Sequence, residues 1–509
     1  MTELTLESLI DDGNYLGSER ARLENKAILD ELERKKKARN MAVPTDDNRV
    51  KARLRELGEP ITLFGERQAD RRDRLIYVLS QINAARGDDV QMEEESSEES
   101  ADEEEFYTPG TLELLEARRR LAEYSLPRAQ TRIAQQRIDS KLPLGRIIDL
   151  HKKIFAEVKR FSNLGSQIGD DRPIAQVRFS PNSKFLATGS WSGTVKIWNV
   201  PSCTTSRVLR GHGDRVGGVA WHPQATLTQG DNVVNLASGA GDMNINLWSL
   251  NNDMPLAILK GHADRVCRVA FHPSGNYVAS ASFDTTWRLW DVTKAKELLL
   301  QEGHSKEVYS VEFQDDGSLV ASGGLDAIGR VWDLRTGRTA MVLDGHVQAI
   351  FGIAFSPNGY QIATGAGDDT IRIWDIRSLK ALRTIPAHLS NVSDVRFFRG
   401  DDLPPMHAVH RGGDVSMNGV EEDADASNDE PNETTTLEEW RYRSGLYFAS
   451  AGYDGFVKLW SADDWQLLRT LTTDSGKVMS VDLSSDGCLL ASGTYNRNFQ
   501  LFAPDDVPV

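Results

Sequence analysis

GHADRVCRVAFHPSGNYVASASFDTTWRLWDV, Gly261 to Val292, returns 42 residues later as GHSKEVYSVEFQDDGSLVASGGLDAIGRVWDL, Gly303 to Leu334. Each copy reads as short alternating strands (RVCRVAF, YVASAS and WRLWDV in the first) divided by turn residues. The period runs on in both directions. Tryptophans stand at Trp198, Trp248, Trp290, Trp332, Trp374 and Trp460, with Phe502 in the seventh place, at spacings of 50, 42, 42, 42, 86 and 42. Ten residues before each lies a small hydroxyl: Thr188, Ser238, Ser280, Ser322, Thr364, Ser450 and Ser492. Six before lies Asp242, Asp284, Asp326, Asp368 or Asp454, replaced by Ser192 in the first repeat and Asn496 in the seventh. His212, His262, His304, His346 and His388 open repeats two to six.

This pattern resembles the WD-repeat family over residues 161–503. One unit cannot bury both faces of its small sheet; seven arranged radially can, and the ring protects the strand edges. The expected fold is an all-β seven-bladed propeller preceded by a mostly helical, partly disordered N-terminal region. The resemblance implies that His, Ser or Thr, Asp and Trp form a hydrogen-bonded network inside each of blades two to six. A histidine beside a hydroxyl and a carboxylate also has the composition of a hydrolase triad. A catalytic site occurs once, whereas this set recurs five times at the period of the fold. It therefore reads as architecture, and no catalytic residue, cofactor or metal site is expected.

The first and last repeats depart from the pattern. By the 42-residue count the histidine place falls on Asp170 in blade one and Asp474 in blade seven. After Phe502 only APDDVPV remains, too short and proline-rich for an outer strand. FSNLGSQI (161–168) is expected to supply it and lock the ring. The sixth repeat carries an acidic, proline-containing insertion at about 399–444, read as a surface loop. The residue before each turn aspartate is expected at one rim of the ring. Trp191, Phe283, Tyr453 and Tyr495 fall there, an aromatic group suited to binding a partner or an unpaired RNA base.

Composition constrains the rest. The 509 residues carry a net charge of −16, concentrated in two tracts. Asp88 to Glu105 holds 11 acids and no base, and 401–439 holds 12 acids and one base, which leaves the remainder mildly basic. Cys203, Cys267 and Cys488 are widely spaced without a CxxC, which excludes a disulfide framework and a cysteine zinc site. No apolar run approaches the roughly 20 residues of a membrane helix, so no membrane partner is expected. The acidic N-terminus has no signal-peptide pattern, and an intracellular protein is expected.

The first 160 residues contain no repeat. The divisions expected are a charged helical segment (1–43), a helical motif (44–87), an acidic linker (88–110), a helical partner-binding segment (111–160) and the propeller (161–509). In the motif, Val50, Leu54 and Leu57 share a helical face, stopped by Gly58 and Pro60. Leu75, Val78, Leu79 and Ile82 share the face of a second helix, from about Glu66 to Ala85. Arg49, Lys51, Arg53, Arg55, Arg67, Arg71, Arg72 and Arg74 are partner or RNA-binding candidates, the last four expected to point away from the apolar stripe. Two short helices are expected around Pro127. In LGRIIDLHKKIFAEVKRF, Ile147, Leu150, Ile154, Val158 and Phe161 share a face that should dock on a partner or the propeller.

PTDDNRVKARLRELGEPITLFGE (44–66), YSLPRAQTRI (124–133) and SQIGDDRPI (166–174), set beside seven WD repeats, resemble the WD-repeat pre-mRNA processing factor four family. The resemblance implies a non-enzymatic nuclear scaffold of the U4/U6 small nuclear ribonucleoprotein and its tri-snRNP with U5, acting in spliceosome assembly. It implies as partners a second U4/U6-bound processing factor, a nuclear cyclophilin, other tri-snRNP proteins and U4/U6 small nuclear RNA, met directly or through those proteins. An alternative comes from WDLR (332–335) and WDIR (374–377), a pattern used by substrate receptors of cullin–RING ubiquitin ligases.

Overall fold

The computed structural model describes residues 47–61, 63, 66–86, 111–141, 143–400, 443–473 and 476–505. The charged helical segment expected at 1–43, the acidic linker 88–110, Asp474 and nearly all of the insertion in the sixth repeat lie outside these residues. The chain divides into two units, residues 1–109 and 110–509.

In the first unit, α1 (Asp47–Glu56) and α2 (Gln68–Arg86) meet through Val50, Leu54 and Leu75, all buried, with Leu57 and Leu79 packed against them. Gly58 ends α1 with a φ of 76°, the left-handed conformation that closes a helix without a Cβ clash. Two of the arginines expected to point outward do not. Arg74 donates to Glu66 through Nε at 2.7 Å, and Arg71 is buried 3.8 Å from the same carboxylate. Glu66 lies on the turn before α2 and needs a counter-charge where α1 and α2 close together, so these two arginines serve the motif's own interior.

The second unit is the propeller. Among the described residues there are seven four-stranded antiparallel sheets. Six are built from consecutive strands: blade one (174–210), two (216–260), three (266–301), four (308–344), five (350–386) and six (392–472). The seventh joins three strands of 478–504 to Phe161–Ile168, which lies along the last strand from Phe161↔Pro504 to Ile168↔Asn498. The ring is therefore closed by a strand from the N-terminal side. Inner and middle strands are almost fully buried, and the contiguous apolar clusters lie between neighbouring blades.

Two helices pack on the end of the blades where the inner strands finish. α3 runs unbroken from Leu112 to Asp139, with Pro127 inside it, where two short helices were expected. A proline in a helix interior costs about 3 kcal/mol. Contacts on both sides of Pro127 offset that cost. Leu114, Ala117 and Leu121 are buried in the core under blades three and four. Tyr124 tilts against His272, and Arg132 pairs with Asp316 at 2.7 Å and bonds the Asn358 carbonyl at 3.0 Å. Gly359, at φ 79°, admits that guanidinium: a Cβ there would lie 2.6 Å from it. α4 (Leu144–Val158) buries Leu150, Ile154 and Val158, the latter two in a core shared with Tyr447 and Leu471 of blade six. Ile147 is half-buried, and Phe161 has already passed into the closing strand. Glu157 pairs with Arg443, and His151 faces Asp463 at 3.0 Å.

Candidate functional site

The five histidine sets are assembled alike. In blade three, His262 Nδ1 faces Asp284 at 2.7 Å and Nε2 faces Ser280 Oγ at 2.6 Å, while the Trp290 indole donates to the same hydroxyl at 2.8 Å. The direction of every proton follows. The carboxylate only accepts, so Nδ1 carries the hydrogen. Nε2 then accepts from Ser280, which is left to accept from Trp290. Blades two, four, five and six repeat this through His212, His304, His346 and His388. All five imidazole side chains are essentially sealed from solvent. Burial lowers the pKa of His346 and His388 despite their facing carboxylates. Burial also opposes ionisation of Asp242, Asp284, Asp326 and Asp368, but the histidine and backbone N–H donors outweigh it and hold these carboxyls below the usual range. The hydroxyls are committed at both ends, and the geometry leaves no oxygen poised for attack.

Blade one reaches a similar end by other residues. Asp170 accepts from Ser192 and from Thr194 at 2.8 Å, and Lys196 approaches it at 3.2 Å. The Trp198 indole still donates to Thr188 at 3.0 Å. In blade seven Ser492 is fully buried, and Phe502 stands where an indole would donate to it.

The surface that varies is the mouth of the central channel, at the end opposite α3. In every blade the residue before the turn acid, or its replacement, donates its N–H to a carbonyl just ahead of the inner strand: Trp191 to Pro173, Gly241 to Arg215, Phe283 to Arg265, Leu325 to Glu307, Gly367 to Ala349, Tyr453 to Asn391 and Tyr495 to Lys477. All seven bonds measure 2.8–3.0 Å. Two residues further on, each inner strand shifts register, as between Val266 and Arg268 or Val308 and Ser310. Such a bulge re-aims one side chain. Cys267, Tyr309 and Met479 are the residues so placed in blades three, four and seven, and all line the cavity at the mouth.

That cavity has a volume of about 320 Å³. It brings together three of the four rim aromatics, Trp191, Tyr453 and Tyr495, with Trp191 and Tyr495 edge to face at 5.7 Å. Phe283 is the exception. It lies outside the lining, under the Arg265 guanidinium at 3.7 Å. Four cations complete the wall: Arg215, Arg265, Arg268 and Lys477. Arg215 sits over Trp191 at 5.6 Å, Arg268 over Tyr309 at 5.1 Å and Lys477 over Tyr453 at 5.4 Å. Among the described residues no carboxylate lines the cavity. Burial pushes the Tyr453 phenol up to about 12, so it stays neutral.

None of the four cations was expected from sequence. Arg265 and Lys477 lie 18 residues before their rim aromatics, a separation fixed by the first hairpin of a blade. Reading that offset beside the rim positions would have found both.

Of the other candidates, Arg53 pairs with Glu56 at 2.6 Å on the surface of α1. Arg49, Lys51, Arg55, Arg67 and Arg72 also stand on or beside α1 and α2, in the first unit. The arginines of WDLR and WDIR have internal partners. Arg335 Nε bonds Asp333 at 3.1 Å, and Arg377 bonds Asp375 at 3.0 Å while lying over Tyr360 at 3.5 Å.

Comparison with known proteins agrees with this organisation. The WD domain, G-beta repeat model matches at 162–199, 203–249, 253–291, 296–333, 337–375 and 465–502. The model for pre-mRNA processing factor 4 (PRP4) like proteins matches residues 50–78, the α1–α2 unit. The chain is a WD-repeat protein with a PRP4-like segment. Blade six escapes the repeat model because its first hairpin is split by the insertion, yet it forms the same four strands. Relatives named U4/U6 small nuclear ribonucleoprotein Prp4 are 44% identical over 214 residues in Mus musculus and over 207 residues in Homo sapiens. The counterpart named PRP4 in Saccharomyces cerevisiae is 33% identical over 232 residues. These matches take in 40–44% of this chain and 39–49% of the relatives. The chain thus spans less than half the length of the relatives it matches.

Proposed function

We propose that this chain is a non-enzymatic scaffold of the U4/U6 small nuclear ribonucleoprotein and of its tri-snRNP with U5, and works in nuclear pre-mRNA splicing. A propeller by itself says almost nothing about function. What carries the reading is the PRP4-like α1–α2 segment on the same chain as a seven-bladed WD propeller, with relatives named for that particle. The division of labour follows the physical design. The propeller is a rigid platform whose polar networks are used up internally. The N-terminal region, with the PRP4-like α1–α2 segment in it, is the part assigned to a second U4/U6-bound processing factor and a nuclear cyclophilin. The outward basic residues of α1 and α2 face protein more than RNA, because among the described residues of these helices Tyr77 alone is an exposed ring, too little for a stacking platform.

The test is affinity purification of the tagged full chain from nuclear extract. Co-purification of U4 and U6 RNAs with a second processing factor is the expected result. Recovery of a cullin adaptor without RNA would instead favour the ligase-receptor reading.

A further inference from the structure

We infer that the channel mouth is a binding site for one unpaired nucleotide of a single-stranded RNA. The inference goes beyond particle membership and stands on the mouth alone.

The cavity, about 320 Å³, is at the small end of the usual range of ligand pockets, roughly 300–1,000 Å³. Its wall combines rings with cations, and among the described residues no carboxylate lines it. Asp214 approaches Arg215 at 3.9 Å, both side chains about half exposed. A guanidinium stacked on a ring keeps its in-plane N–H groups for an anion. Arg215 over Trp191 and Arg265 over Phe283 are held in this way. The Arg265 Nε–H is buried and has no hydrogen-bond partner among the described residues, and the same side chain bonds Cys267 of the wall. Arg268 differs: it is buried and donates to the Gly217 carbonyl, and its part is to hold the wall.

An acidic or phosphorylated peptide would answer the cations and leave the rings idle. Tyr495 is 45% exposed, an outlay of apolar surface that phosphate recognition does not need. A duplex would answer the cations too, but its bases are stacked inside and unavailable. An unpaired nucleotide in a strand offers a flat face between two phosphates, the combination that stacking platforms with flanking cations take. Tyr495 and Trp191 then receive the base, and Arg215, Arg265 and Lys477 receive the flanking phosphates. Nothing here reads one base over another, so the site takes unpaired RNA by stacking and charge.

The experiment uses the full chain with a fluorescein-labelled oligouridylate in anisotropy, beside a duplex of equal length and an acidic phosphopeptide. Tyr495→Ala is expected to weaken the single strand by about tenfold or more. Tyr495→Phe, which keeps the ring, should retain binding. Lys477→Gln should lower the slope of log affinity against log salt by about one. Crosslinks from 4-thiouridine RNA should fall on peptides containing Trp191 or Tyr495. Unchanged affinity in Tyr495→Ala with crosslinks only to residues 31–87 would overturn the assignment. So would a duplex or phosphopeptide binding the mouth more tightly than the single strand. Variants are compared only at matched melting temperature; if Tyr495→Ala fails that check, Lys477→Gln and Tyr495→Phe carry the comparison. Loss of U4 and U6 from the purified chain with mouth binding intact would count against particle membership alone.

Discussion

Blades three and five place their rim residues by the same backbone bond, Phe283 to Arg265 in one and Gly367 to Ala349 in the other. The side chains share nothing. The arc formed by blades six, seven, one, two and three carries Tyr453, Tyr495, Trp191 and Phe283 with Lys477, Arg215 and Arg265. The opposing arc of blades four and five carries Leu325, Glu307, Gly367 and Ala349. Seven copies of one frame thus present two chemistries at one mouth. The repeat fixes where a rim side chain stands and leaves its identity open. Binding is therefore to be sought where the copies disagree, and stability where they agree.

That division can be broken first at an inner-strand position where the copies differ (Gln176 in blade one, Arg268 in three, Ser480 in seven) but where blade six buries a charge. Asp394 is buried inside the channel, bonded by Arg178 at 3.2 Å and Ser480 at 2.7 Å. Burial raises its pKa, but Arg178, Arg396 and Arg268 outweigh this and keep it ionised. Asp394→Ala takes from Arg178 the carboxylate it bonds, leaving it Asp482 nearby, and should cost about 3–5 kcal/mol, read as the loss of denaturation midpoint in urea. A loss under about 1 kcal/mol would mean that water reaches the pair. A smaller effect is expected at Asp284. Its replacement by Ala leaves His262 and the Ala263 N–H unpaired and should cost about 1–3 kcal/mol. At the equivalent place of blade one, Ser192→Ala should cost no more than about 1 kcal/mol, since the carboxylate there is Asp170. Equal costs would erase the distinction between the closure and the regular blades.

Acid should act on the frame more gently. Burial drives His272 down to about 4 and also lowers His222, His346 and His388. Unfolded, these residues take up protons near pH 6.5, whereas folded they refuse them until well below that value. The unfolded state therefore binds more protons in this window, and stability falls as pH falls. The Tm should be flat above about pH 7 and drop by a few degrees between pH 6.5 and 4, in calorimetry at constant ionic strength. A Tm that rises on acidification would contradict the neutral histidines.

The frame was legible in the sequence because each of its parts recurs. Trp290, Ser280, Asp284 and His262 could be placed by spacing alone, and so could the closing strand at 161–168. What was not legible depends on partners distant in the chain. Pro127 reads as a helix break until Arg132 is seen bonded to Asp316, 184 residues away. Arg74 reads as a solvent-facing base until Glu66 closes on it from the turn before α2. Of the mouth's cations, Arg265 and Lys477 keep a fixed offset of 18 residues from Phe283 and Tyr495, whereas Arg215 and Arg268 are set there by strand register and bulge.

The most direct test of the account sets the two arcs against each other. A Trp191→Ala, Tyr453→Ala, Tyr495→Ala triple variant and a Glu307→Gln, Leu325→Ala double variant are introduced into the full chain. Each is compared with the parent for Tm and for the U4 and U6 RNA recovered on purification. Both should melt within a few degrees of the parent. The triple variant should lose most of the RNA and the double variant should keep it. Equal recovery from two well-folded variants would contradict the assignment of binding to the aromatic arc.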